Sequence, residues 1–181
     1  ADIRDFGGHT GAEIASLQKA AYFGLKEGDS RLLVCQNVFA INRPATLAEF
    51  AANAPAPYFE TMNLHHYIAF DAYPAWYAAF RAIASGRPLW VTECAMPVKW
   101  SGDPEPKEPA AADLRVQSER VAKVFAGALH EGAEQVFYFL LPHYAEGQTQ
   151  FGIVRADLTP RPAYVALAAA GRLLADARPR G

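Results

Sequence analysis

Only two cysteines occur in the 181 residues, Cys35 and Cys94, and neither lies in a CxxC pair or near a His-Cys cluster. A disulfide framework, a zinc knuckle and a dithiol redox site are therefore without support, and no metal or cofactor is called for. Each cysteine is expected to serve as a small buried hydrophobe, since free Cys is among the most buried residue types. No run of about 18 apolar residues exists, and the Ala-rich C-terminal stretch is broken by Arg172 and Asp176, so no membrane span is expected. Excess charge of either sign is missing too. Lys and Arg number 17 against 19 Asp and Glu, a net charge of −2, and their scatter offers no footprint for nucleic acid. No Gly-x-Gly-x-x-Gly or Walker-type loop follows any strand, which argues against a Rossmann nucleotide site. The sequence opens at Ala1 without Met and without a charged-then-apolar leader, which leaves secreted and cytoplasmic locations both open.

What is present suits a soluble globular chain: 51% of the residues are hydrophobic, enough for a real core. Thr10 followed by Glu13 forms a T-x-x-E capping box, and a helix is expected from there to about Glu27, with Ile14, Leu17, Ala21 and Leu25 on one face and Gly28 as its stop. Arg31 to Phe39 (RLLVCQNVF) reads as a buried strand turning polar at Gln36 and Asn37. Thr46 with Glu49 repeats the capping box and is expected to start a short helix to about Asn53. Glu60 to Tyr67 (ETMNLHHY) alternates as a strand, with Asn63, His65 and Tyr67 on one face and Leu64 and His66 on the other. Pro74 then opens a helix carrying Trp76, Tyr77, Phe80 and Ile83, which Gly86 ends.

The next strand is the one around which the chain is organised. Leu89, Trp90 and Val91 suit a strand buried on both faces, and they carry Glu93 to its C-terminal edge, where barrels of alternating strands and helices place catalytic groups. A lone Glu after a strand is more often a solvated loop residue or a helix cap, so the surrounding pattern has to decide. A long Pro-rich loop over 97–112 follows. Then come an amphipathic helix from Asp113 to Gly132 (Leu114, Val121, Val124, Phe125, Leu129), a strand Glu134 to Leu141 (EQVFYFLL), an irregular segment 142–161, and a last helix opened by Pro162 that suits packing on a sheet. Helices and strands alternate throughout, which implies parallel strands with crossover helices. Four strands are half of an eight-stranded barrel, which typically needs about 250 residues, so one partial barrel is expected over 1–181.

Four stretches resemble clan A glycoside hydrolases, retaining enzymes on the (β/α)8 barrel, and in particular the C-terminal halves of β-xylosidase-like and cellulase-like members. The Leu-Trp-Val-Thr-Glu run resembles the clan's seventh strand, which ends in the nucleophile. His65 and Tyr67, as His-x-Tyr, resemble the sixth. KAAYFGLKEGDSRLLV is similar to the helix after the fourth strand leading into the fifth, and VFYFLL with FGIVRADLTPRPAYVAL to the eighth strand and its closing helix. The resemblance implies the C-terminal half of a (β/α)8 TIM barrel, approximately helix 4 through helix 8. It implies Glu93 as nucleophile, Tyr67 as the group that orients it, and His65 in a sugar subsite. The acid/base glutamate of the clan, usually in an Asn-Glu pair closing the fourth strand, would then lie upstream of Ala1, and an N-terminal half of the barrel or a second copy would be needed to close the fold.

Within that reading the substrate is an oligosaccharide or glycoside. Gln36, Asn37 and Asn63, at strand ends, could bind sugar hydroxyls, and Trp100 could stack on a sugar face. The clan's eighth-strand Trp has no clean match; Phe139, Tyr144 or neither replaces it. His66 points to the opposite face and is excluded. Asp71, Glu146 and Asp157 are spare acids whose spacing favours none of them as a substitute acid/base. The competing expectation is a non-catalytic half-barrel that binds carbohydrate or self-associates, because an open half leaves unpaired strand edges and exposed apolar surface.

Overall fold

A computed structural model describes residues 2–4, 7–99 and 108–176, and Trp100 lies outside them. The chain forms two compact units, one of residues 1–66, 74–92 and 133–135, the other of 67–73, 93–132 and 136–181.

In the first unit, α1 (Gly11–Gly28) starts at the expected capping box: Thr10 accepts from the Glu13 amide while the Glu13 carboxylate accepts from the Thr10 amide. Its buried face is a correction. Gly11, Ile14, Ala15 and Gln18 are inside, whereas Leu17 and Leu25 are 46% and 45% exposed. The reason is polar: the Gln18 side chain donates to Tyr58 O (2.8 Å) and accepts from the Asn37 amide (2.7 Å), which turns that side of the helix inward. The helix α2 (Pro44–Ala52) begins two residues ahead of the expected cap, with Pro44 in its first turn and no side-chain cap at Arg43. Glu49, expected in a capping box with Thr46, instead accepts from the Gly11 amide at 2.9 Å and so joins the two helices.

Residues 31–39 do not form the expected strand. They make two isolated parallel bridges, Cys35 with Thr61 and Phe39 with Leu64. The Gln36 amide donates to Thr61 O, but the next amide, Asn37, is taken by the Gln18 side chain, so the ladder is interrupted where a regular strand would continue it. Regular strands are β1 (Met62–His66) and β2 (Leu89–Cys94). With β4 (Ala133–Tyr138) they make a parallel three-stranded sheet in the order β1-β2-β4, which does not close into a barrel among the described residues. The helix α3 (Tyr73–Ile83) crosses over between β1 and β2, and the chain leaves it through Ser85 and Gly86, both at positive φ. Phe39, Phe50, Phe59 and Phe80 fill the core in edge and tilted ring pairs, with Met62, Leu64, Tyr77 and Val91 around them.

In the second unit, α4 (Ala111–His130) buries Gln117, Val121, Val124 and Ala128. The last helix, α5 (Pro162–Leu174), lies along α4, its Ala163 and Leu167 meeting Val121, Phe125, Ile153 and Tyr138. The helix suited to packing on a sheet thus meets Tyr138 of β4 and also lies against a second helix. The segment 142–161, expected to be irregular, holds a hairpin of β5 (Ala145–Glu146) and β6 (Thr149–Gln150), which turns at Gly147 (φ 52°) and pairs with β3 (Val98–Lys99) in an antiparallel sheet of order β3-β6-β5. Strands of two residues carry no readable alternation, so the pattern could not announce them. Arg161, 1% exposed, ties the segment together by donating to Gly152 O, Val154 O and the Glu108 carboxylate.

Candidate functional site

Each unit holds one hydrogen-bonded group of candidate side chains. In the second unit the site is centred on Glu93, the penultimate residue of β2, and Tyr67, which follows β1 directly. The Tyr67 hydroxyl donates to Glu93 Oε1 at 2.5 Å, within the range of a charge-assisted O–H···O⁻ bond. Burial, the bond to Glu93 and the negative charges of Glu93 and Glu146 all push the Tyr67 phenol far above its ordinary range, so it remains a donor throughout the neutral range.

Aromatic rings extend from there. The Tyr67 ring meets Phe151 edge-on (centroids 6.0 Å, 88° between planes), and Phe151 also packs on Phe139 (5.6 Å) and Tyr144 (5.8 Å). The Tyr144 hydroxyl donates to Glu146 on β5, and that bond raises the Tyr144 phenol. Cys94, next to Glu93, is buried and its thiol is pushed up to about 12, first by burial and then by the Glu93 charge. The buried thiol donates to Phe137 O, in keeping with an apolar role. Cys35 is only partly buried, its sulfur accepting from the Thr61 hydroxyl.

In the first unit, Asn63 and His65 on one face of β1 meet Thr92 of β2. The Thr92 hydroxyl donates to Asn63 Oδ1 (2.6 Å), and His65 Nε2 lies 3.0 Å from the same hydroxyl oxygen. His66, on the opposite face, is buried and hydrogen-bonded to the Tyr77 hydroxyl at 2.9 Å. Of the other polar strand-end residues, Gln36 is enclosed (1% exposed) and its side chain is closed to a ligand, while Asn37 is exposed with its amide committed to Gln18. Asp157 accepts from the amide and hydroxyl of Thr159 in its own turn, and Asp71 is exposed in the 3-10 turn Phe70–Ala72. Among the described residues no three His, Cys, Asp or Glu side chains gather as a metal site, and no helix is long and apolar enough to cross a membrane.

Sequence reasoning missed Thr92, Phe151 and Glu146 as neighbours of these groups. Thr92 was visible as part of the Val-Thr-Glu run, yet its partners lie 27 and 29 residues away. Phe151 sits in a segment with no periodicity, and only the return of the hairpin brings it to Tyr67.

No family model matches the sequence, and no curated protein does. Among solved structures the chain is similar to a GH10 protein from Paenibacillus barcinonensis, at 15% identity and a TM-score of 0.62 over 88% of this chain and 52% of that one. It is similar also to a family 39 glycoside hydrolase from the gut symbiont Bacteroides cellulosilyticus WH2, at 14% identity and a TM-score of 0.62 over 91% of this chain and 38% of that one. A third likeness is to an active-site mutant of a β-1,3-glucanosyltransferase from Rhizomucor miehei, at 12% identity and a TM-score of 0.59 over 87% and 58%. The chain thus spans between 38% and 58% of the length of these structures. Its parallel strands and crossover helices, matched over most of its length, have the fold of part of these glycoside hydrolase structures, an open portion of a TIM-barrel-like α/β fold.

Proposed function

We propose that this chain carries the nucleophile side of a retaining glycoside hydrolase site, with Glu93 attacking the anomeric carbon of a β-glycoside. The observation that carries the reading is the 2.5 Å hydrogen bond from the Tyr67 hydroxyl to Glu93 Oε1 at the end of β2. Double displacement needs one ionised carboxylate against the anomeric carbon and a second carboxyl roughly 5–5.5 Å away that protonates the leaving oxygen. A phenol donating to one carboxylate oxygen holds that carboxylate in one orientation. The second carboxyl is the glutamate that the resemblance places upstream of Ala1. Asn37, Asn63, His65 and Trp100 are assigned to the sugar, and Phe139, Tyr144 and Phe151 form a ring cluster against Tyr67. An N-terminal half of the barrel or a second copy completes the cleft, so this chain by itself is expected to be inactive on ordinary glycosides.

The test removes the need for the acid. A 2-deoxy-2-fluoro-β-glycosyl fluoride loses fluoride without protonation: the C1–F bond breaks as a C1–O bond to the carboxylate forms, and the 2-fluoro group slows hydrolysis of the ester. Incubation with xylosyl, glucosyl, galactosyl and mannosyl members of this series is expected to add one fluoroglycosyl mass to the peptide bearing Glu93, with no addition in Glu93→Gln. Absence of labelling by the whole series, or labelling of another carboxylate, overturns the assignment.

A second reading, a non-catalytic half-barrel that binds carbohydrate or self-associates, is favoured by one observation. Residues 31–39 meet the neighbouring segment 60–65 through isolated bridges rather than a regular ladder and present Leu32 and Leu33 to solvent at 43% and 53% exposure.

A further inference from the structure

We infer that Gln117 and Arg161 are positioning residues for Glu93: within the second unit they hold the Gly152 carbonyl, which sets the Phe151 ring against Tyr67 and thereby keeps the Tyr67 hydroxyl on the carboxylate. Gly152 is fixed at both of its backbone polar groups. A carbonyl oxygen has two lone pairs, and here both are engaged: Arg161 Nη1 donates at 2.9 Å and Gln117 Nε2 at 3.2 Å. The Gly152 amide is shared between Tyr144 O (3.2 Å) and Gln150 Oε1 (3.1 Å). Packing removes the remaining freedom, since a methyl group on Gly152 would sit 2.2 Å from Pro142 O and 2.8 Å from His143 Cα. Arg161, Gln117 and Gln150 are all buried, so a broken bond leaves polar atoms away from water, and the clamp resists displacement.

Phe151 inherits that restraint. Its own amide donates to Tyr144 O at 3.0 Å, and the peptide that links it to Gly152 carries the shared N–H. The backbone on either side of the ring is thus set, and edge-on contact with Phe139 (centroids 5.6 Å, 83° between planes) limits the side-chain torsions. The same ring meets Tyr67 edge-on at 6.0 Å. Tyr67 is 41% exposed, and the Phe151 ring opposes rotation of its phenol toward water. A 2.5 Å O–H···O bond depends steeply on distance and angle, so a small shift of the ring is enough to weaken it. The effect on the hydrogen bond is independent of the glycosidase reading; the effect on sugar trapping rests on Glu93 being the nucleophile.

The test uses the full chain with tyrosine labelled by 13C at Cζ, the Tyr67 resonance among the eight tyrosines being identified by its loss in Tyr67→Phe. Glu93→Gln sets the position of that resonance for a phenol without a carboxylate partner. Gln117→Met, which keeps the length of the side chain and removes the donor, is expected to move the resonance part of the way to that position, and Phe151→Leu to move it further. Gly11→Ala, which crowds α2 in the first unit, is expected to leave it in place. A resonance unmoved in both Gln117→Met and Phe151→Leu overturns the inference, as does an equal movement in Gly11→Ala. If Gln117→Met does not fold, Arg161→Lys, which keeps the charge toward Glu108 and gives up the fork of donors, decides in its place by the same criterion.

With the fluoroglycosyl fluorides, Gln117→Met is expected to slow trapping about threefold, within the roughly tenfold that the Tyr67 bond itself can supply. In a chain already carrying Tyr67→Phe there is no hydroxyl to misplace, and Gln117→Met is expected to slow trapping no further. A role in folding alone slows both backgrounds equally, and that result overturns the inference. A chain that traps no sugar ends the effect on trapping together with the proposed function, while the hydrogen bond still stands or falls on the Tyr67 resonance.

Discussion

Tyr67 and Glu93 define what single side chains contribute. Replacing Tyr67 by Phe removes the hydroxyl and keeps the ring against Phe151, so the fold is expected to hold while the carboxylate loses a charge-assisted bond. Such bonds contribute about 1.5–3 kcal/mol, and with Tyr67 41% exposed the lower end applies, which corresponds to about a tenfold slower trapping rate. An unchanged rate in Tyr67→Phe would detach Tyr67 from the chemistry. His66 makes a different kind of contribution. Burial, with some help from neighbouring His65, lowers its pKa from 6.5 to about 4, so between these values the native state binds fewer protons than the unfolded one. Stability is present in full above pH 6.5 and is lost as pH falls toward 4, by about 2 kcal/mol between pH 7 and pH 5. Urea midpoints measured across that range should shift accordingly, and the shift should shrink in His66→Gln, which retains hydrogen-bonding capacity toward Tyr77 without a titrating ring.

Among the elements, the contact of α1 with α2 depends on a missing Cβ. A methyl group at Gly11 would sit 2.2 Å from Thr46 O and 2.5 Å from Phe50 N, both backbone atoms that cannot swing aside. Gly11→Ala is therefore expected to destabilise by about 1–3 kcal/mol despite the better helix propensity of Ala. Gly24, in the same helix with nothing within 4 Å, serves as the control: Gly24→Ala should be neutral or stabilising by up to about 1 kcal/mol. Similar costs for both variants in urea unfolding would show that the close approach does not matter. This contact also explains why the capping-box pattern read correctly at Thr10 and misleadingly at Thr46. At Thr10 both partners lie within one helical turn, whereas Glu49 finds a better donor in the first amide of α1.

At the scale of the molecule, the sheet order β1-β2-β4 leaves β4 with one paired neighbour among the described residues, and its Phe137 is 49% exposed. Residues 31–39, on the β1 side, bridge rather than pair. Open edges and exposed apolar side chains are the surfaces through which chains associate. Sedimentation velocity over a hundredfold concentration range is expected to show a concentration-dependent dimer or higher species. A strict monomer throughout would remove the self-association reading. A dimer that traps no fluoroglycosyl group would favour that reading over the catalytic one.

The order of the helices with β1, β2 and β4 among them, the start of α1 at Thr10, the start of α3 near Pro74 and the arrival of Glu93 at the end of β2 were determined by the sequence alone. Each depends on caps, proline geometry or periodicity within a few residues, where neighbours in the chain are neighbours in space. Tertiary structure decided the rest. Gln18 reaching Tyr58 and Asn37 chose the buried face of α1 and broke the ladder at 31–39, and Arg161 drew 142–161 into a folded segment. The bond from Tyr67 to Glu93 and the sharing of Thr92 by Asn63 and His65 join residues 26 to 29 positions apart. Local pattern places each residue on its strand, but which hydroxyl proton goes to which oxygen is settled only when the strands lie side by side.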